Sequence, residues 1–205
     1  MSNIILPNGQ ATREEKAGTF GHQRVVAKPV LAFDLDGTLR YSTAEDSPFI
    51  HEPEDIAFYP HVFEAVWDYR DEGWLPVIVT NQGGVAHGHL TPQDFDRQMN
   101  RMQAIAQERH PRGWPFLDVR AAFCHEKGDH PQFGVRSLHR KPQIGMLALV
   151  EDRARANNVV PKWGESVLVG DMESDEELAE RAGITFWPAD EWRSAVNERF
   201  QEPDE

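Results

Sequence analysis

Two carboxylates stand two residues apart at the end of an apolar run, in Asp34-Leu35-Asp36-Gly37-Thr38, and three more polar groupings follow down the chain. They are Thr80-Asn81-Gln82, Lys141-Pro142, and Gly170-Asp171 with Asp175 one helical turn further on. Moving a phosphoryl group onto and off an aspartate requires a carboxylate nucleophile, a second carboxylic acid to carry the proton, and a divalent cation. It also requires a hydroxyl and an ammonium to hold the phosphate oxygens. The four segments supply each of these types in order. Any one alone says little: Asp-x-Asp-Gly also begins turns and calcium loops, and a single lysine is usually solvated surface. The calcium reading fails because the required carboxylates do not recur at its spacing.

The elements that must position these groups alternate. Pro29 to Phe33, Leu75 to Thr80 and Ser166 to Gly170 are short, almost wholly apolar runs, the pattern of strands buried on both faces. Pro76 is awkward inside a strand, so the second strand is expected to begin after it. Val119 to Cys124 and Ile184 to Trp187 are further strand candidates. Between them, His61 to Glu72 carries Val62, Ala65, Val66 and Tyr69 on one stripe and stops at Gly73. Thr91-Pro92-Gln93-Asp94 is a helix start, with a capping hydroxyl, Pro in the first turn and an acid after it. The Phe95, Met99, Met102, Ile105 stripe that follows reads as core. Residues 143–156 and 174–182 complete the helices, with Pro142 expected in a first turn and Lys141 fixed beside it.

Strands alternating with helices predict right-handed βαβ units: an α/β, Rossmann-like three-layer α/β/α sandwich around a mainly parallel sheet. Ligands of such sheets bind beyond the carboxyl ends of the strands, where Asp34, Thr80 and Asp171 all fall. Asp175 is open to three readings: it orients Lys141, supports a metal, or is a helix-start acid beside Ser174. Gly83 to Gly88 has the glycine spacing that opens a P-loop, but His89-Leu90 replaces its lysine and hydroxyl, which excludes that kind of nucleotide binding.

The 205 residues suit one domain, expected over 29–205 behind an N-terminal extension, 1–28, of polar, glycine-containing sequence. A net charge of −13, from 34 acidic and 21 basic residues, gives no broad attraction to nucleic acid or to anionic membrane. The single cysteine, Cys124, excludes an intramolecular disulfide and suits a reducing compartment. Ile4-Ile5-Leu6 is too short for a signal-peptide core or a membrane span, so the expectation is a cytoplasmic protein with no membrane partner, a monomer or small homo-oligomer.

In these motifs, over roughly residues 29–187, the chain resembles the haloacid dehalogenase superfamily of phosphatases. The resemblance implies that Asp34 is the nucleophile and that Asp36 is general acid, then base. It implies Thr80 and Lys141 on the phosphoryl oxygens, and Mg²⁺ on Asp34, Asp171 and the Asp36 backbone carbonyl. Thr80-Asn81-Gln82-Gly83-Gly84 and Arg140-Lys141-Pro142-Gln143-Ile144-Gly145-Met146 are similar to the branch of histidinol-phosphatases, heptose-bisphosphate phosphatases and polynucleotide 3′-phosphatases. That branch lacks a large cap domain, which leaves loops 40–58, 83–90 and 125–140 to set specificity. Asn81 and Arg140 join the expected substrate-binding set. The implied substrate is a sugar phosphate or other small phosphorylated metabolite; a polynucleotide 3′-phosphate is the alternative, and a non-catalytic phosphate-binding regulator stands third.

Zinc is the remaining question. Heptose-bisphosphate and histidinol phosphatases of this branch carry a structural zinc loop of Cys-x-His followed by Cys-x-Cys directly before Arg-Lys-Pro. Cys124 fits its first position, but His125 is adjacent instead of spaced, and Ser137 and His139 stand where the second cysteine pair belongs. With His130 these residues still number one Cys and three His, enough ligands for a tetrahedral ion. The broken spacing favours a loop without zinc.

Overall fold

The computed structural model describes residues 25–45 and 47–200. The strands are β1 (Val26–Lys28), β2 (Val30–Phe33), β3 (Arg40–Ser42), β4 (Ile56–Phe58), β5 (Leu75–Asn81), β6 (Asp118–Ala122), β7 (Val159–Pro161), β8 (Val167–Gly170) and β9 (Thr185–Pro188). The helices are α1 (Val62–Asp71), α2 (Pro92–Arg109), α3 (Gly145–Ala156), α4 (Glu173–Ala182) and α5 (Ala189–Phe200). Five strands form the central sheet in the order β6-β5-β2-β8-β9, every pair parallel.

The apolar runs are strands because both of their faces are covered. Leu31, Phe33, Ile78 and Val169 pack on one face with α1, α2 and α5, where Phe95, Met99, Met102 and Ile105 are all buried. Val30, Ala32, Val77, Val79 and Leu168 pack on the other face with Met146, Leu147 and Val150 of α3 and Leu178 of α4. The chain starts in the middle of the sheet, moves out through β5 and β6, then returns to the far side of β2 for β8 and β9. That reversal opens a crevice at the carboxyl ends of β2 and β8.

Local signals hold α2 and α4. Thr91 Oγ1 accepts the Asp94 N–H at 3.1 Å while the Asp94 carboxylate accepts the Thr91 N–H at 2.7 Å, a reciprocal cap that satisfies two otherwise unpaired donors. Gly183, with φ 66°, ends α4 in the left-handed region.

Several boundaries differ from the sequence reading. Pro76 lies inside β5 rather than before it, paired with Leu31. Its nitrogen faces the β6 side one residue before β6 begins, so no ladder bond is lost, and its carbonyl still accepts the Leu117 N–H at 2.9 Å. The third helix begins at Gly145, not 143, because Pro142 to Ile144 form turns closed by Gln143 N–H to Arg140 O (2.8 Å) and Gly145 N–H to Leu138 O (3.0 Å). Pro142 therefore precedes the helix. The last three residues of the expected extension form β1, which pairs in parallel with β7; residues 1–24 lie outside the described residues. No cap domain interrupts the described chain between β2 and α2: it holds the two-stranded β3–β4 hairpin, α1, β5 and a series of turns over 83–89. No helix among the described residues is long and apolar enough to cross a membrane.

Candidate active site

Asp34 directly follows β2, its N–H held by the Val169 carbonyl at 2.9 Å, and its carboxylate is buried. The backbone then turns. Gly37, with φ 79°, lies so close to Asp171 that any Cβ there would strike its carboxylate. The turn separates the two carboxylates of the Asp-x-Asp pair: Asp34 points into the buried centre while 46% of the Asp36 side chain stays exposed.

Lys141 crosses from the loop before α3 and ion-pairs with Asp34 and with Asp175, the second at 2.6 Å. Burial by itself would push the ammonium down, but the two carboxylates outweigh it and leave Lys141 above its ordinary value. Burial pushes the Asp34 carboxyl up to about 7, partly offset by Lys141 and reinforced by Asp175 and Asp36. Asp175 is fully buried in the first turn of α4, where its other oxygen accepts the Met172 N–H at 3.1 Å. Two of the three sequence readings therefore hold together: Asp175 caps the start of α4 with one oxygen and holds Lys141 with the other.

Asp171 follows β8 and completes a group of three acids. One carboxylate oxygen each from Asp34, Asp171 and Asp175 lies within 4.8 Å of the others. Partial burial, then Asp175, raises the Asp171 carboxyl above its usual range. Stacked anions of this kind are stabilised by a hard divalent cation, and an all-oxygen donor set suits Mg²⁺. Lys141 already occupies the side between Asp34 and Asp175, which leaves the Asp34–Asp171 side for a metal.

Thr80, buried at the penultimate position of β5, accepts from the Gln82 amide at 3.0 Å. Asn81 was expected among the phosphate ligands. Its amide instead holds the Lys141 backbone, accepting the N–H at 2.9 Å and donating to the carbonyl at 3.2 Å. Arg140 donates to the Cys124 carbonyl at 3.4 Å and helps line a cavity of about 320 Å³ with His125, Arg136 and Lys141. It therefore flanks the buried centre. Cys124, His125, His130 and His139 are not gathered within mutual ligand reach, whereas among the described residues the three aspartates are. The Nδ1 of His130 instead accepts backbone N–H groups of Gln132 and Phe133.

Three residues to which the sequence reading gave no role complete the site. Arg40, almost wholly buried, donates Nε to Asp36 at 2.8 Å and Nη1 to the Met102 sulfur at 3.4 Å. Gln82 donates to the other Asp36 oxygen at 2.7 Å. Arg193 of α5 stacks 4.3 Å from the Tyr59 ring and donates to the Gly37 carbonyl at 2.6 Å, tying the C-terminal helix to the turn that separates the two aspartates. Gln82 had a signal, since residues two apart on a strand share a side and Thr80 was already chosen.

This fold, with its carboxylates and lysine at the sheet's switch point, is that of the phosphatases of the haloacid dehalogenase superfamily, and the chain's relatives are hydrolases of phosphoric monoesters. The chain belongs to the polynucleotide kinase 3 phosphatase family, whose model matches residues 29–205. It is 30% identical over 166 residues to the D-glycero-beta-D-manno-heptose-1,7-bisphosphate 7-phosphatase of Vibrio cholerae, covering 78% of this chain and 79% of that protein. A putative HAD-like phosphatase from Mesorhizobium loti superimposes with a TM-score of 0.67 at 24% identity, over 90% of this chain and 93% of that one. The heptose 1,7-bisphosphate phosphatase of B. bronchiseptica, solved with magnesium and phosphate, gives 0.58 at 24% identity over 78% and 79% of the two chains. These two structures establish the fold.

Proposed function

We propose that the protein is a Mg²⁺-dependent phosphomonoester phosphatase that works through an aspartyl-phosphate on Asp34 and takes a sugar phosphate or another small phosphorylated metabolite. The observation that carries this reading is the Lys141 ammonium held by Asp34 and Asp175 beside Asp171. A carboxylate nucleophile and a phosphate dianion repel each other, and buried positive charge offsets that repulsion. Asp34 attacks phosphorus in line with the leaving oxygen. Asp36, reaching out of the turn, donates a proton to that oxygen and then takes one from the water that hydrolyses the acyl phosphate. Thr80 and Lys141 hold phosphoryl oxygens. Asp34 and Asp171, with the Asp36 carbonyl, would hold Mg²⁺, which supplies further charge neutralisation. Asn81 positions Lys141, and Asp175 orients it. The heptose-bisphosphate phosphatase relative supports the sugar-phosphate reading. The family model favours a second reading, a polynucleotide 3′-phosphatase, which an uncapped site accommodates.

Phosphate release across a panel of heptose bisphosphate, histidinol phosphate, other sugar phosphates, nucleotides and a 3′-phosphorylated oligonucleotide tests this. The expected result is strong preference for one small metabolite, lost with EDTA, restored by Mg²⁺ and absent in Asp34→Asn. Preference for the oligonucleotide would replace the first reading with the second. Full activity without metal, or in Asp34→Asn, would contradict the mechanism.

A further inference from the structure

The catalytic groups use the carboxyl ends of the strands. At the opposite ends of β5 and β6 lies a second, partly open cavity, about 500 Å³, bordered by the last turn of α1 and the C-terminal half of α3. That volume is in the range of small-molecule sites. Its floor is apolar, from Leu75, Val77 and Val150, and Trp74 stands beside it.

The charged lining inverts the sign of the chain. Against a net charge of −13, the cavity gathers Lys28, Arg70, Arg112 and Arg153 around two acids, Asp71 and Asp118. Both acids are already satisfied within the protein. Arg112 grips Asp71 with two bonds of 2.6 and 2.9 Å, and Arg120 pairs with Asp118 at 2.7 Å. Lys28, Arg70 and Arg153 have no ion pair among the described residues. Arg70 donates to the Pro115 carbonyl at 3.1 Å and lies 4.7 Å from the Trp67 ring, which fixes its guanidinium. Burial, then the neighbouring Arg112, holds Arg70 below its ordinary value against the opposing pull of Asp71. A bound anion would add to that pull, and attraction across a partly apolar cavity exceeds the same attraction in water.

We propose that this cavity binds a small organic anion with an apolar or aromatic body, the acid group met by Lys28, Arg70 and Arg153 and the body by Trp74 and the Leu75, Val77, Val150 floor. Inorganic anions lack the body and neutral aromatics lack the charge. The requirement for both distinguishes a built site from a patch of solvated cations.

Isothermal titration of the full chain with naphthalenesulfonate tests it, because a phosphatase cannot hydrolyse a sulfonate. One site is expected, weakened at least about tenfold in Arg153→Glu and in Lys28→Glu. Inorganic sulfate and naphthalenemethanol should each bind at least about tenfold more weakly than the sulfonate. Phosphate release by Arg153→Glu and Lys28→Glu should match the unmodified protein, since neither residue belongs to the catalytic site. Lys141→Ala should leave the titration unchanged. The proposal is overturned by absence of binding up to about 1 mM, by equal binding in the charge-reversed variants, or by loss of binding in Lys141→Ala, which would put the ligand at the catalytic centre.

Discussion

Asp34 and Asp36 are two residues apart and live in different worlds. Asp34 is buried and locked to Lys141, with Asp175 fully buried behind that lysine. Asp36 keeps 46% of its side chain in solvent and is steered by Arg40 and Gln82 at 2.8 and 2.7 Å. The contrast separates two chemical needs. A nucleophile that must approach a phosphate dianion benefits from fixed charges in a medium that does not screen them. A group that must trade protons with a leaving oxygen and then with water has to reach both, so it stays open while its direction is fixed by neighbours.

Substitutions in the two halves should therefore fail differently. The largest loss is expected in the buried half: Lys141→Ala should lower kcat by about 10³-fold or more, since it removes the ammonium facing the phosphoryl oxygens. Asp175→Ala tests the same half through stability. It leaves a buried ammonium with one carboxylate fewer, a change expected to cost about 3 kcal/mol, read as a lowered denaturation midpoint together with lost activity. Asp36→Asn belongs to the open half and should lower kcat by about 10²-fold or more on alkyl phosphates, while lowering the midpoint less than Asp175→Ala does, since the amide oxygen can still accept from Arg40. In kcat/KM, which reports the attack step, the loss should shrink on p-nitrophenyl phosphate, whose leaving group needs no proton. Arg40→Met should act through Asp36, costing about tenfold in kcat with KM little changed. If Arg40→Met instead abolishes activity on every substrate alike, the division into halves is wrong.

The smallest effect is a pH shift. Asp34 attacks as a carboxylate and its carboxyl is raised to about 7, so kcat/KM should fall as pH drops through that value. A nearby cation favours the carboxylate, and raising Mg²⁺ should move this acidic limb to lower pH. Profiles at two Mg²⁺ concentrations decide the matter; superimposable limbs would remove Mg²⁺ from contact with Asp34.

How much of this was legible in the sequence follows the same division. Asp34, Thr80 and Asp171 could be read because apolar runs ending in polar residues mark the carboxyl ends of parallel strands, and the structure brings these ends together. Asp175 was open to three readings, and its pairing with Lys141 was only one of them because it depends on the loop before α3 reaching across the sheet, which no local pattern specifies. Arg40 was illegible for a different reason: arginine is rarely buried, and the three-residue β3 that places it is too short to show a period. Arg193 reaches Gly37 across 156 positions of sequence. Pro76 misled because its cost depends on which neighbour its nitrogen faces, and that is a property of the sheet rather than of the strand. The fold came from patterns repeated along whole elements. The arginines and the lysine clamp came from single long-range contacts.

The central claim is that Asp34 carries the phosphoryl group, and it can be tested directly. In Asp36→Asn the attack on p-nitrophenyl phosphate should proceed while hydrolysis of the acyl phosphate, deprived of its base, slows. Rapid mixing followed by acid quench and peptide mass spectrometry should then find phosphate on the peptide containing Asp34, with a matching burst of nitrophenol. A variant that turns over with no burst and no phosphopeptide, or one that carries phosphate on another residue, would contradict the account.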